Sequence, residues 1–223
     1  LTLQIGLLTF PKVQQLDLTG PYEVFALLPD VEVHLVAKSL TPVTSSTGMV
    51  ITPTATFADC PRLDVICVPG GSGINTLLTD EPTLEFIRRQ AETARYVTSV
   101  CTGALVLGAA GLLKGRKATT HWGAHDLLSA FGAIPTQGRV VQDGNIVTGG
   151  GVTAGIDFAL TLIAELVNDD AARAIQLHLE YAPAPPFESG TPERARPGIV
   201  AAVKDKLAAS RREREAVIAR ITR

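Results

Sequence analysis

The chain has 223 residues, 46% hydrophobic and 19% charged, enough for one large buried core and ordinary for a globular protein. Its net charge of −2 gives no electrostatic ground for binding nucleic acid or an acidic membrane surface. No apolar run approaches the roughly 20 residues of a membrane span, and no basic stretch precedes the first apolar one, so neither a membrane segment nor a signal peptide is expected. Leu3–Thr9 reads as a buried strand. Gly20-Pro21 opens a short helix to about Leu28, because proline lacks only an N–H that a first helical residue leaves unbonded. Val31–Ala37 alternates as a second strand, and Leu40–Thr54, rich in Thr, Ser and Val, reads as a small hairpin. Asp64–Val68 is a short apolar run closed by Pro69-Gly70-Gly71, the pattern of a central parallel strand. Glu81–Ala94 is an amphipathic helix. Tyr96–Val100 is a buried strand that leads into a helix from about Thr102 to Ala110. Trp122–Phe131 reads as helical. Val140–Gln142 and Ile146–Thr148 flank the hairpin turn Asp143-Gly144-Asn145. Helices over about Thr153–Val167 and Asp170–Tyr181 follow, and Ala182–Pro186 breaks the second. Pro197–Arg223 is a charged helix with apolar positions Ile199, Val203, Leu207, Val217 and Ile218.

Alternating βα units imply an α/β protein: a three-layer α/β/α sandwich around a mainly parallel, flavodoxin-like sheet. Residues 188–223 carry 9 Lys/Arg against 5 Asp/Glu, whereas residues 1–187 carry 11 against 17. The expected organisation is therefore one catalytic domain over 1–187 and a C-terminal charged helical extension over 188–223. The spaced apolar positions of that extension would let it pack on a partner subunit.

Three cysteines, Cys60, Cys67 and Cys101, are too few and too odd in number for a disulfide framework, and point to a reducing, cytoplasmic setting. Cys101 sits where the strand Tyr96–Val100 turns sharply into a helix, with Gly103 and Ala104 letting the helix start close to the strand end. This is the cysteine counterpart of a hydrolase nucleophile elbow. The free N–H groups and partial positive charge of a helix N-terminus favour thiolate, so the pKa of Cys101 is expected to fall. An arbitrary cysteine is more often a small core residue, and Cys67, in mid-strand, fits that description. The strand–Cys–small–Gly–helix context reverses the preference at Cys101. Cys60 lies in a loop and receives no role.

The sequence resembles the ThiJ/PfpI branch of the class I glutamine-amidotransferase-like superfamily, and within it the isocyanide hydratases. The resemblance is carried by Gln14–Pro21 (QQLDLTGP), Asp64–Gly71 (DVICVPGG), Thr98–Gly103 (TSVCTG) and Gly111–Leu113. It continues through Ala118–Trp122 (ATTHW), Thr148–Phe158 (TGGGVTAGIDF) and Leu179–Pro186 (LEYAPAPP), covering about residues 3–187. It implies a homodimer without metal or organic cofactor that hydrates a small-molecule isocyanide, R–N≡C, to an N-substituted formamide. It further implies Cys101 as nucleophile, Asp17 as its acidic partner and Thr102 as a neighbour needed for activity, with Gly71 bringing a backbone N–H near the sulfur. Gly70 to Gly73 would form the wall opposite the cysteine. Gly150 would let backbone pass near the pocket, Val152 would line it, and His121 would sit close enough to tune the thiol.

The chemistry calls for a nucleophilic sulfur, one proton-transfer group and a dry pocket. From the residues alone, Asp17 reads first as a helix-start residue, and only the resemblance moves it to catalysis; Thr102 could simply cap the elbow helix, a reading compatible with a role in activity. His178-Leu-Glu180 imitates the His-x-Glu pair of glutamine amidotransferases, but two positions apart on a helix their side chains diverge. Thr102 stands where PfpI-type peptidases carry His. The four histidines lack metal-ligand spacing, and neither Gly70–Gly73 nor Gly149–Gly151 matches a phosphate-binding motif. Three alternatives remain open. One is a ligand-sensing module like that of AraC-type regulators, against which the single helix after Ile199 offers no helix-turn-helix. The others are a glyoxalase- or deglycase-like enzyme and a thiol redox sensor.

Overall fold

A computed structural model describes residues 2–222. In chain order the elements are β1 (Leu3–Leu8), α1 (Gln15–Ala26), β2 (Val31–Ala37), β3 (Val43–Thr44), β4 (Val50–Ile51), β5 (Ala55–Thr56), β6 (Val65–Val68), α2 (Ile74–Leu77), α3 (Glu81–Ala91), β7 (Tyr96–Val100) and α4 (Gly103–Ala109). There follow β8 (Lys117–Ala118), a 3₁₀ segment (Trp122–Phe131), β9 (Ile134–Pro135), β10 (Val140–Asp143), β11 (Ile146–Gly149), α5 (Ala154–Leu166), α6 (Asp169–His178) and α7 (Pro197–Ile221).

Seven strands form the central sheet in the order β10-β11-β7-β6-β1-β2-β5. Every pairing is parallel except the edge hairpin β10–β11. Parallel strands must be covered on both faces, and β6, Val-Ile-Cys-Val, is buried along its whole length. α1, α5 and α6 pack together as one layer; α2, α3, α4, the 3₁₀ segment and α7 form the other. Between α1 and α5, Phe25 and Phe158 meet edge to face at 6.1 Å. The expected three-layer α/β sandwich is therefore present. No helix among the described residues is long and apolar enough to cross a membrane.

Two local expectations need correction. The first helix begins at Gln15, not at Gly20, and carries Pro21 in its interior. Pro21 is buried against α5, where a Cβ at Gly155 would stand 3.0 Å from its ring. Burial of Leu18, Val24 and Phe25 on the same helix outweighs the one backbone hydrogen bond that proline forfeits. Trp122–Phe131 winds as 3₁₀ turns, held at its start by the His121 side chain and ended by Gly132 at φ 71°.

The last helix packs on its own chain. Val217 and Ile218 enter the hydrophobic core, while α7 lies on α2 and the 3₁₀ segment. Asn75 of α2 anchors it, donating to the Ser210 carbonyl (3.0 Å) and Glu213 Oε2 (2.8 Å) and accepting from Arg214 Nε (3.0 Å).

Candidate active site

β7 ends at Val100 and α4 begins at Gly103, and the turn between them puts Cys101 at φ 55°. A non-glycine residue in that region costs about 1–3 kcal/mol and persists only where its surroundings hold it. Two bonds do so: Cys101 N–H donates to the Gly149 carbonyl (3.1 Å), and Thr120 Oγ1 donates to the Cys101 carbonyl (2.6 Å). Gly103 is needed for the same turn, because a Cβ there would overlap the Val68 carbonyl.

Asp17, in the first turn of α1, is fully buried. It is no cap: the residue before the helix is Gln14, and the Asp17 carboxylate crosses to the β6 end, where Oδ2 accepts the Gly70 N–H at 2.9 Å. Oδ1 has no well-aligned hydrogen-bond partner, and the polar group facing this carboxyl is the Cys101 thiol. Burial raises the Asp17 pKa from its ordinary 3.8 to about 7, against the lowering effect of the Gly70 N–H and the thiol.

The thiol moves the other way from the sequence expectation. Burial, and then the Asp17 charge, push the Cys101 pKa well above its ordinary 9.0, while the Thr102 N–H and hydroxyl oppose the rise. The helix N-terminus is present, but the thiol of a residue only 5% exposed, beside a carboxylate, loses more from desolvation than it gains from that end. Asp17 and Cys101 thus form a buried acid–base pair, with a carboxyl poised near neutrality facing a thiol that keeps its proton.

Thr102 does not cap α4 with its side chain. Its Oγ1 instead accepts the Gly71 N–H at 3.1 Å. The Gly71 N–H is therefore engaged with Thr102 and is not a free donor for a substrate anion. Gly71 itself, at φ 123°, lies where a Cβ would collide with the backbone of residues 12–14. Gly70 acts behind the pocket: a Cβ there would come within 2.6 Å of Thr102 N and 2.8 Å of Asp17 Oδ2, so only glycine lets the three meet.

A cavity of about 300 Å³ opens over the sulfur, lined among others by Gln14, Gly71, Cys101, Thr102, His121 and Val152. Gly150 does not reach it; its N–H is bonded to the Arg139 carbonyl (2.9 Å) under the edge hairpin. His121 Nδ1 accepts the Gly123 N–H (3.1 Å), which leaves the ring proton on Nε2. Burial, then nearby Arg214, lowers the His121 pKa and keeps the ring neutral. His178 and Glu180 are exposed at the end of α6, away from this cavity. No group of three potential metal ligands occurs among the described residues. A larger cavity, about 770 Å³, adjoins the first through Ser72 and Ser210, but neither cysteine nor histidine lines it.

Sequence reasoning missed one wall altogether. Lys206, Leu207, Ser210, Arg211 and Arg214, at helical spacing along one face of α7, line the cavity with Cys101. Of these only Leu207 carried a signal, as an apolar position; Arg214 is hidden in the charged run Arg211-Arg-Glu-Arg-Glu215, which reads as solvated, and it is only 7% exposed.

The model of the DJ-1/PfpI family matches residues 4–165. An isonitrile hydratase from Pseudomonas putida is 66% identical over 210 residues, spanning 94% of this chain and 92% of the relative. The crystal structure of a ThiJ/PfpI family protein from Pseudomonas syringae superposes with a TM-score of 0.94 at 46% identity, covering 97% of this chain and 90% of that one. The HTH-type transcriptional regulator GbdR of Pseudomonas aeruginosa is 33% identical over 144 residues, spanning 64% of this chain and 39% of the regulator.

Proposed function

The chain belongs to the DJ-1/PfpI family, and from that premise we propose that it is an isonitrile hydratase which adds water to R–N≡C to give R–NH–CHO. The observation that carries the reading is the buried pair of Asp17 and the elbow thiol, opening on a small cavity. The resemblance to a regulator's sensor half is weaker in identity and in extent, and it does not favour the alternative.

The pair suits the reaction step by step. The isocyanide carbon accepts an electron pair from sulfur while Asp17 takes the thiol proton and passes it to the same carbon. A C–S bond forms and a thioimidate, R–N=CH–S, results. Water then attacks that carbon, giving one proton to Asp17, which passes it to the nitrogen. The tetrahedral adduct R–NH–CH(OH)–S collapses with cleavage of the C–S bond; its hydroxyl proton passes through Asp17 to the departing sulfur, and the formamide leaves. One carboxyl handles every transfer, which a pKa of about 7 permits in both directions at neutral pH. Thr102, donating its N–H and hydroxyl toward the sulfur, stabilises the thiolate that appears at collapse. The scheme uses no metal or organic cofactor. The cytoplasmic homodimer implied by the resemblance belongs to the same proposal, and sedimentation of the intact protein tests its oligomeric state.

The test is formamide production from cyclohexyl isocyanide by the reduced protein, with Cys101→Ala as control. Turnover that disappears in the variant supports both reaction and nucleophile. Absence of turnover by the reduced wild type overturns the reading and makes methylglyoxal the next substrate to try.

A further inference from the structure

The cavity over Cys101 is lined by three cations, Lys206, Arg211 and Arg214, and by no aspartate or glutamate. One of the three is already neutralised: Arg211 pairs with Asp126 through Nη1 (3.0 Å) and Nη2 (2.7 Å), and with Glu215 at 2.8 Å. The other two have no carboxylate within ion-pair distance among the described residues. Arg214 is the more telling, since it is buried. Its Nε donates to Asn75 Oδ1 (3.0 Å) and its Nη2 to Ser210 Oγ (3.4 Å), both uncharged acceptors, and Nη1 has no acceptor among the described residues. Buried charges are ordinarily paired; burial here, with the charge of Arg211, pulls the guanidinium's pKa down from 12.5 against the raising effects of Cys101, Glu213 and Glu215, none of which reaches it as an ion pair. Asn75 fixes the guanidinium's orientation, being held itself by Ser210 and Glu213. Exposed Lys206 lies eight residues earlier on the same face, about 12 Å along the helix axis. His121 adds no charge, and the Asp17 carboxyl reaches the site only at the Cys101 thiol, not along the walls that carry these cations.

We propose that the substrate of this enzyme is an isocyanide bearing a carboxylate a few bonds from its nitrogen, received by Arg214 and steered by Lys206. This rests on the hydratase reading and adds the substrate class. A planar guanidinium held by two neutral partners still has N–H groups free for a carboxylate. A carboxylate docked there supplies the direct ion pair that no described residue makes with Arg214. The same charge excludes isocyanides that carry an ammonium group. The role is separable from a general effect of Arg214 on the sulfur, which would change turnover of charged and neutral isocyanides alike.

The experiment compares kcat/KM for potassium 4-isocyanobutanoate and its methyl ester, with the full chain as wild type, Arg214→Gln and Lys206→Gln. The wild type should prefer the carboxylate at least tenfold, and the preference should shrink as salt is raised. Arg214→Gln should bring the ratio near one, chiefly through KM. Lys206→Gln, at an exposed position, should lower the ratio two- to threefold and remove most of its salt dependence. A wild type that hydrates the ester as well as the carboxylate overturns the proposal, as does a folded Arg214→Gln that keeps the preference. Calorimetric binding of 4-formamidobutanoate and its methyl ester supplies a readout without turnover. If neither isocyanide is hydrated, the hydratase reading falls, and equal binding of the two formamides would remove anion recognition as well. At least tenfold tighter binding of the carboxylate, lost in Arg214→Gln, supports it.

Discussion

Replacing Asp17 by Asn separates the two things this carboxyl does, because activity and stability should move in opposite directions. Holding the ionised carboxylate in a fully buried position raises its pKa from 3.8 to about 7. At about 1.4 kcal/mol per unit, that is a cost on the order of 4 kcal/mol. Below pH 3.8 the folded and unfolded chains both hold the proton. Between 3.8 and about 7 the unfolded chain releases it and the folded chain keeps it, so stability falls as pH rises; above 7 both are ionised and the loss is complete. Asparagine has no proton to lose, and its carbonyl oxygen can still accept the Gly70 N–H. The advantage of Asp17→Asn over wild type should therefore be near zero at pH 4 and grow to as much as roughly 4 kcal/mol above pH 7. In a chain of this size that is about 10 °C in Tm. Turnover of cyclohexyl isocyanide should fall by about 10²–10⁴, the usual weight of one general acid–base group. Thermal unfolding at pH 4 and pH 8, with formamide production at pH 8, reads both. A variant with full turnover would remove Asp17 from proton transfer. A stability difference that does not grow with pH would refute the desolvation argument.

In the wild type, kcat/KM should rise with pH through an apparent value near 7 belonging to the Asp17–Cys101 pair, because the carboxyl must be ionised to accept the thiol proton; a flat profile from pH 5 to 9 would contradict this. Gly70→Ala forces a methyl between Thr102 and Asp17. It should cost about 1–3 kcal/mol in urea unfolding and lower kcat/KM at least tenfold; an unchanged kcat/KM would show that the spacing of those two side chains is immaterial. Asn75→Ala, at a buried position, leaves the Arg214 Nε and the Ser210 carbonyl without their partner. A loss of roughly 2–4 kcal/mol, read as a lower urea midpoint at unchanged slope, is expected.

The scaffold and the strand-to-helix turn at Cys101 were legible because each rests on local pattern. The apolar runs of β1, β6 and β7 and the small residues after Cys101 are written in consecutive positions, and the turn Asp143-Gly144-Asn145 announces its hairpin. What local pattern could not carry was the environment of single groups. A helix N-terminus next to a cysteine is visible in the sequence, but the desolvation that reverses its effect depends on how completely α1 and the β6 loop close over the sulfur. Pro21 misled for the same reason, since a rule about helix starts gave way to a contact with Gly155 on a helix more than a hundred residues away.

Arg214 shows where that limit bears on function. The family model ends at residue 165, and within that span lie Asp17, Cys101 and Thr102, the groups that perform the proposed hydration. The cations over the sulfur come from outside it, on a helix that begins at Pro197 and reads as an appendage. In the structure this helix is sewn to the body through Asn75 and roofs the cavity, so a shared catalytic frame meets a wall supplied by a separate segment. A nucleophile must be placed to within a fraction of an ångström, which favours the rigid sheet edge. Selection by charge acts over several ångströms and tolerates a helix laid on from elsewhere. Chemistry and selectivity can then vary independently, and a burial pattern along α7 that differs from its charge pattern is the feature that separates the two.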